Sequence, residues 1–146
     1  MAIERLTHLT PAQLAAPIAE SEAHGLGFVR RLADEWASGA NRFDRPGEAL
    51  FAARDGAEIV GVGGLNVDPY TSDPPTGHVR HLYVMTAHRR HGVGAVLVSE
   101  IIAAARGNFH TLRLSTSNPD AARLYERLRF RPRADVAKCT HVLEAV

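Results

Sequence analysis

The chain has 146 residues, 45% of them hydrophobic and 23% charged, with a formal net charge of +1. This length favours one domain spanning 1–146, and the composition is ordinary for a globular protein. No apolar run approaches the roughly 18 residues of a membrane span, and Glu4 and Arg5 interrupt any N-terminal signal segment. The single cysteine, Cys139, cannot form an internal disulfide. A membrane partner and a disulfide framework are therefore not expected, and a cytoplasmic location is.

The net charge conceals two halves of opposite sign. Residues 1–77 carry a net charge of −5 and residues 78–146 carry +6. Arginine supplies 16 of the 17 basic residues. This excess suits phosphate binding, but a genome-wide coding bias would give the same ratio. Nucleic-acid binding is disfavoured, because aromatic residues do not interleave with a basic face and the first half is acidic.

The first predicted elements are a strand and a helix. Residues 3–9 form a β-rich run. Thr10 and Gln13 are spaced as a capping box, which predicts a helix start, and Leu14 and Ile18 lie on one face of that helix.

A second helix and a hairpin are predicted next. Gly25 and Gly27 end the first helix, and an apolar residue recurs every four positions from Phe28 to Trp36. The β-rich runs 50–54 and 58–65 meet at Asp55-Gly56, a dipeptide that favours a tight hairpin turn.

The second half of the chain predicts three strands and two helices. Residues 68–77 contain three prolines and form a loop before a strand over 79–84. A strongly apolar stripe predicts a helix over 92–106, followed by a strand over 112–116. Asn118 caps the last helix, and a final strand covers 139–143. The resulting order, β-α-α-β-β-β-α-β-α-β, predicts an α/β fold with a mixed sheet and helices on its faces.

The most distinctive local feature is a basic loop that opens a helix. Residues 78–91 contain three arginines, four histidines and no acid, and Gly92 and Gly94 follow. The first amides of a helix lack internal partners and favour an anion, and glycines let a ligand approach the backbone. The pattern predicts a phosphate-bearing ligand. A tight turn with solvated arginines remains the alternative.

Two motifs resemble the GCN5-related N-acetyltransferase (GNAT) family. Arg89 to Gly94 matches its pyrophosphate loop, in which a glutamine or arginine precedes a glycine by three positions and a second small residue by five. Residues 118–130 are similar to the family signature N-x-x-A-x-x-L-Y-x-x-x-G-F. The resemblance covers nearly the whole chain and implies a GNAT-like sheet whose central strands splay around acyl-CoA.

The resemblance also implies a co-substrate, acetyl-CoA or a close acyl-CoA. A metal is not expected, because the histidine spacings resemble no zinc pattern and no cysteine is nearby. Backbone amides from His91 to Ala95 would hold the pyrophosphate, and the backbone of Tyr83 and Val84 would pair with the pantetheine arm. Asn118 would bond that arm. The implied cofactor-binding residues are Tyr83, Val84, Arg89, Arg90, His91, Gly92, Val93, Gly94, Ala95 and Asn118.

Two catalytic residues follow from the same resemblance. Tyr125 would protonate the departing thiolate as general acid, and a backbone amide near Val84 would stabilise the oxyanion. His78 stands where many members have a glutamate base, and an imidazole of ordinary pKa could serve at neutral pH. His81 is the second candidate, although strand alternation would put it on the face opposite His78. The alternatives are that Tyr125 is only a core residue and that neither histidine transfers a proton.

Three departures from the family pattern accompany the match: Arg129 replaces a helix-ending glycine, Thr86 replaces a proline and His78 replaces the glutamate. The expected acceptor is a primary amine or a peptide N-terminus, and a homodimer is expected. A non-catalytic acyl-CoA-binding regulatory module is the alternative function. Acceptor-side candidates are Glu20, Glu22, Asp34, Glu35, Trp36, Asp68, Tyr70 and Asp73.

Overall fold

The computed structural model describes residues 1–70 and 75–146, and within them the chain forms one mixed sheet. The strands, in spatial order β1-β2-β3-β4-β5-β7-β6, are antiparallel to their neighbours except for the parallel pair β4 and β5. Their bounds are β1 Ala2–Arg5, β2 Ala49–Asp55, β3 Glu58–Val67, β4 Thr76–Val84, β5 Thr111–Leu114, β6 Arg131–Pro132 and β7 His141–Glu144.

Four α-helices cover the two faces of this sheet in the described ranges. They are α1 Ala15–Ala23, α2 Phe28–Ser38, α3 Val93–Ala105 and α4 Pro119–Arg127. The predicted order of elements is confirmed, with one added strand, β6, whose two residues are too short to produce a pattern in the sequence. No helix in the described part of the chain is long and apolar enough to cross a membrane.

Each sheet face has its own buried core. On one face, Leu97 and Ile101 of α3 pack with Leu112 of β5. On the other face, Leu32 of α2 packs with Val62 of β3. The apolar stripes read from the sequence therefore mark the faces that the helices bury.

The first predicted boundaries need small corrections. Strand β1 ends at Arg5 rather than at residue 9. The Leu6 amide still donates to the Leu50 carbonyl at 2.8 Å, but the side chains of Leu6 and Leu9 enter the core under α1 and α2. The capping pair is present, with the Thr10 amide donating to Gln13 Oε1 at 3.0 Å. It begins a short 3₁₀ turn that continues into α1, and Pro11 fits the first position, where a backbone N–H would have no helical partner.

A β-bulge in β4 corrects the predicted alternation of side chains. Arg80 lies opposite Gly64 and Tyr83 opposite Val62, so two β4 residues oppose the one residue between them. His81 takes up the extra residue with a left-handed φ of 63°. Strict alternation is therefore wrong here. His81 and Tyr83 share the α1/α2 face of the sheet with His78 and Arg80.

The opposite side of β4 shows the same change of phase. Val79 packs in the α3 core before the bulge, whereas Leu82 and Val84 pack against that core after it. Strict alternation predicts that Leu82 and Val84 share a face with His78. The bulge places them on the opposite face. The bulge brings both histidines to one side of the strand.

Candidate functional site

The sheet opens between its two parallel strands. Strands β4 and β5 pair only from Thr76 to His78, against Thr111 to Arg113. Beyond His78, in the described chain, the strands diverge around a cleft of about 730 Å³. Residues 78–84 and 114–118 form its walls, and the start of α3 and part of α4 complete it. This geometry confirms the splayed central strands and leaves room for an extended ligand along β4.

The start of α3 presents a loop with two left-handed residues at one end of the cleft. Arg90 has a φ of 65° and Gly92 a φ of 79°. Gly92 is the N-cap of α3, and its carbonyl accepts from Val96 at 3.1 Å. A Cβ on Gly92 would meet nothing within 4 Å, so the approach to the first helical amides is open. These amides, from Val93 to Ala95, suit an anion.

The two glycines of this loop have different roles. Gly94 also lines the cleft, but a Cβ there would lie 3.0 Å from Leu124 Cδ2 of α4. Gly94 thus allows α3 and α4 to pack closely, whereas Gly92 supplies the backbone conformation of the turn. The sequence pattern alone does not distinguish the role of Gly92 from that of Gly94.

Arg89 joins the loop to the end of β4. Its Nε donates to the Val84 carbonyl at 2.8 Å, and its guanidinium lies 5.4 Å from the centre of the Tyr83 ring. Arg90 and His91 are exposed next to it. Arg89 therefore orients the loop as well as adding positive charge at the cleft.

Glu20 has a role that the sequence did not indicate. Its Oε1 accepts from the Tyr83 hydroxyl at 2.5 Å, the Thr86 amide at 2.9 Å and the Thr86 hydroxyl at 3.0 Å. Burial raises the pKa of Glu20, but these hydrogen bonds outweigh it and hold the pKa below its ordinary value. Glu20 thus ties α1 to the end of β4 and does not line the cleft. Thr86, at the position of the family proline, supplies two of the donors.

The start of α4 supplies the other wall of the cleft. Asn118 Oδ1 accepts from the amides of Asp120 at 2.9 Å and Ala121 at 3.5 Å, so the predicted cap is confirmed. Because the side-chain oxygen already accepts these two hydrogen bonds, Asn118 is left to contact a bound group through its side-chain nitrogen, which donates.

Tyr125 is buried yet lines the cleft, with 4% of its surface exposed. Its ring packs edge-on against Phe130, with 5.4 Å between ring centres. Burial raises its pKa above the ordinary value of 10, so the phenol is protonated at neutral pH. Tyr125 is thus both a buried core residue and a residue of the cleft wall.

His78 and His81 line the same cleft on the α1/α2 side of β4. Burial, then the charges of Arg80 and Arg113, lower the pKa of His78 to about 4. Burial, then the charges of Arg80, His78 and Arg31, lower the pKa of His81 to about 3. Both imidazoles are therefore neutral at pH 7. His78 Nδ1 and His81 Nε2 are buried without a hydrogen-bond partner among the described residues.

The acidic residues expected on the acceptor side lie elsewhere. Asp120 is the one carboxylate among the described residues that line the cleft. Glu22 pairs with Arg30, and Asp68 is buried 3.6 Å from Arg113. Asp34, Glu35 and Tyr70 lie outside the lining, Trp36 is in the α2 core, and Asp73 lies outside the described residues. The cleft is therefore basic rather than acidic.

Comparisons with known proteins agree with this geometry. The model of the Acetyltransferase (GNAT) family matches residues 15–130. None of the curated protein sequences shows a significant match.

Solved structures extend the likeness over the whole chain. A protein from Exiguobacterium sp. 255-15, provisionally named an acetyltransferase, is 27% identical with a TM-score of 0.83, covering 98% of this chain and 92% of that one. A ribosomal-protein-alanine N-acetyltransferase from Brucella melitensis is 19% identical with a TM-score of 0.69, covering 99% of each chain. At that lower identity the likeness concerns the fold.

Proposed function

The chain belongs to the GNAT acetyltransferase family, and from this premise we propose that it acetylates a primary amine in the cleft between β4 and β5. It is an acyltransferase, and its co-substrate is acetyl-CoA. The observation that carries the proposal is the cleft itself, which has the open helix start at Gly92 at one end and Tyr125 in its wall.

The residues of the cleft fit acetyl-CoA. The open approach at Gly92 and the amides of Val93 to Ala95 suit the pyrophosphate, and Arg89 and Arg90 add compensating positive charge. The stretch of β4 ending at Tyr83 and Val84 diverges from β5, which leaves a strand edge for an extended pantetheine arm.

Acetyl-CoA supplies a thioester, and a neutral amine that attacks its carbonyl carbon forms an amide while the carbon–sulfur bond breaks. A backbone amide near Val84 would stabilise the negative charge that develops on the carbonyl oxygen. Tyr125 would donate its phenolic proton to the departing thiolate. Its raised pKa keeps the phenol protonated at neutral pH, so the proton is present when the thiolate leaves, but it also makes the phenol a weaker acid.

His78 would accept the proton that the attacking nitrogen must lose. With a pKa of about 4 it is a weak base for a free ammonium ion. The nitrogen becomes far more acidic once it bonds to the carbonyl carbon, so a neutral imidazole suits removal of the proton at that stage. His81 is the second candidate, since the bulge places it on the same side of β4.

The test is release of CoA thiol from acetyl-CoA in a panel of amines and peptides. We expect turnover with at least one amine, and Tyr125→Phe should lower kcat by about 10²-fold or more with little change in the KM for acetyl-CoA. Tyr70→Phe is the matched control, since Tyr70 is exposed and does not line the cleft.

Two results would count against the proposal. Unchanged turnover in Tyr125→Phe would remove Tyr125 as the acid. Acetyl-CoA binding without turnover of any amine would favour a non-catalytic acyl-CoA-binding module.

A further inference from the structure

Two arginines lie at the end of the cleft that is distant from the phosphate loop. Arg80 comes from the middle of β4 and Arg31 from α2, and both line the cleft with His78, His81 and Phe28. We name these five residues the acceptor end. Arg80 lies opposite Gly64, whose missing Cβ would meet Phe43, so the Arg80 side chain leaves β4 on the α1/α2 face.

Neither arginine has an acidic partner among the described residues. Seven other arginines of the described chain form ion pairs with carboxylates, as in Arg30 with Glu22 and Arg133 with Asp135. The one carboxylate of the described cleft lining, Asp120, belongs to α4 and pairs with Arg123. The positive charge of Arg31 and Arg80 is therefore not balanced within the acceptor end.

The histidines add no positive charge to the acceptor end at neutral pH. The pKa values of about 4 for His78 and about 3 for His81 follow first from burial and then from the neighbouring positive charges, including Arg80. Both rings are neutral at pH 7, so the acceptor end holds two positive charges, one on the half-buried Arg80 and one on the exposed Arg31. Low-dielectric walls concentrate such a potential on whatever enters.

The phosphates of acetyl-CoA do not account for Arg80. Because of the bulge, Arg80 and Val84 lie opposite Gly64 and Gly61, three residues apart on β3, which is roughly 10 Å along the strand, and the phosphate loop begins only after Val84. The pantetheine arm separates the phosphates from the reacting carbonyl. An anion bound by Arg80 must therefore belong to the other substrate.

We propose that the acceptor is an amine that also carries an anionic group, a carboxylate or a phosphate, which Arg31 and Arg80 bind while the amine faces the thioester. Guanidinium groups bind both anions through paired, charge-assisted hydrogen bonds. A cationic amine without such a group would meet two uncompensated positive charges. This inference rests on the proposed function and names its substrate class.

The experiment compares matched acceptors on the wild-type protein, with thiol release as readout and rates referred to the unprotonated amine. In the carboxylate arm, glutamic acid α-amide is compared with glutamine α-amide. In the phosphate arm, O-phosphoethanolamine is compared with ethanolamine. The anionic member of at least one pair should have a kcat/KM at least roughly tenfold higher, and the arm that responds identifies the anion.

Two variants test which residues recognise the anion. Arg80→Met and Arg31→Met should each raise the KM of the anionic acceptor about tenfold and leave the neutral partner within about twofold. Arg30→Met is the matched control, because Arg30 is next to Arg31 on α2 and likewise exposed, but it is paired with Glu22 and does not line the cleft. It should leave both KM values unchanged.

The outcomes separate this inference from the proposed function. Normal turnover with equal or better use of the neutral partners in both arms overturns the inference alone. The inference is also overturned if the arginine variants lower kcat/KM equally for the anionic and the neutral acceptors. Failure of every amine to release thiol overturns the proposed function and this inference together. The wild-type comparison needs no variant, so it decides the matter even if a variant does not fold.

Discussion

Replacing Arg129 by glycine should stabilise the protein. Arg129 follows α4 with a left-handed φ of 77°, and its amide donates to the Glu126 carbonyl while the next amide, of Phe130, donates to the Tyr125 carbonyl. The helix end that the family builds with glycine is thus formed here by an arginine. A left-handed conformation costs a residue with a Cβ about 1–2 kcal/mol.

The net effect is smaller than that strain. Glycine loses about 0.5–1 kcal/mol more backbone entropy on folding, so Arg129→Gly should raise the free energy of unfolding by about 0.5–1 kcal/mol. The side chain is exposed, so little packing is lost. At this chain length the gain corresponds to a Tm increase of about 1–4 °C.

Urea denaturation with an unchanged m value is the assay. Arg127→Gly is the matched control, since the same substitution two residues earlier falls on the last helical residue of α4. It should lower the free energy of unfolding by a few tenths to about 1 kcal/mol. A loss of stability in Arg129→Gly, or shifts of the same sign in both variants, would refute the strain argument.

Two further stability predictions follow from buried positions. Gly77→Ala would put a Cβ 2.7 Å from Leu112 Cδ2, and the overpacking should cost about 1–3 kcal/mol in urea denaturation. Glu48 is buried, and although burial raises its pKa, hydrogen bonds from Arg45 and the Val67 amide hold it below the ordinary 4.5. Its stabilisation is therefore present above about pH 4.5 and lost as pH falls through the folded pKa. Glu48→Gln should be about 2–4 kcal/mol less stable at pH 7, with the gap shrinking towards pH 3 in denaturation curves; a gap independent of pH would contradict this.

The sequence predicted well what depends on local pattern. The Asn118 cap, the helix start at Gly92 and the apolar stripe of α3 involve residues within a few positions of each other. Their physical causes are capping, dipoles and helical periodicity, which can be read directly from the order of residues.

Features that depend on the tertiary fold could not be predicted in this way. The bulge at His81 needs the pairing register of β3, because only the opposed residues show that β4 holds one more. Glu20 reaches Tyr83 across 63 positions of sequence, so its role depends on how α1 docks. In the sequence, Arg80 is one of several basic residues between 78 and 91. Its place in the cleft, away from the phosphate loop, is visible only in the structure.

The central claim is that acetyl-CoA lies between β4 and β5 with its phosphates at the start of α3. A titration of ¹⁵N-labelled protein with acetyl-CoA, followed by backbone amide chemical shifts, tests it directly. The account predicts saturable shifts that are largest at Tyr83, Val84, the amides from His91 to Ala95 and Asn118. Absence of binding, or shifts concentrated away from this cleft, would contradict it.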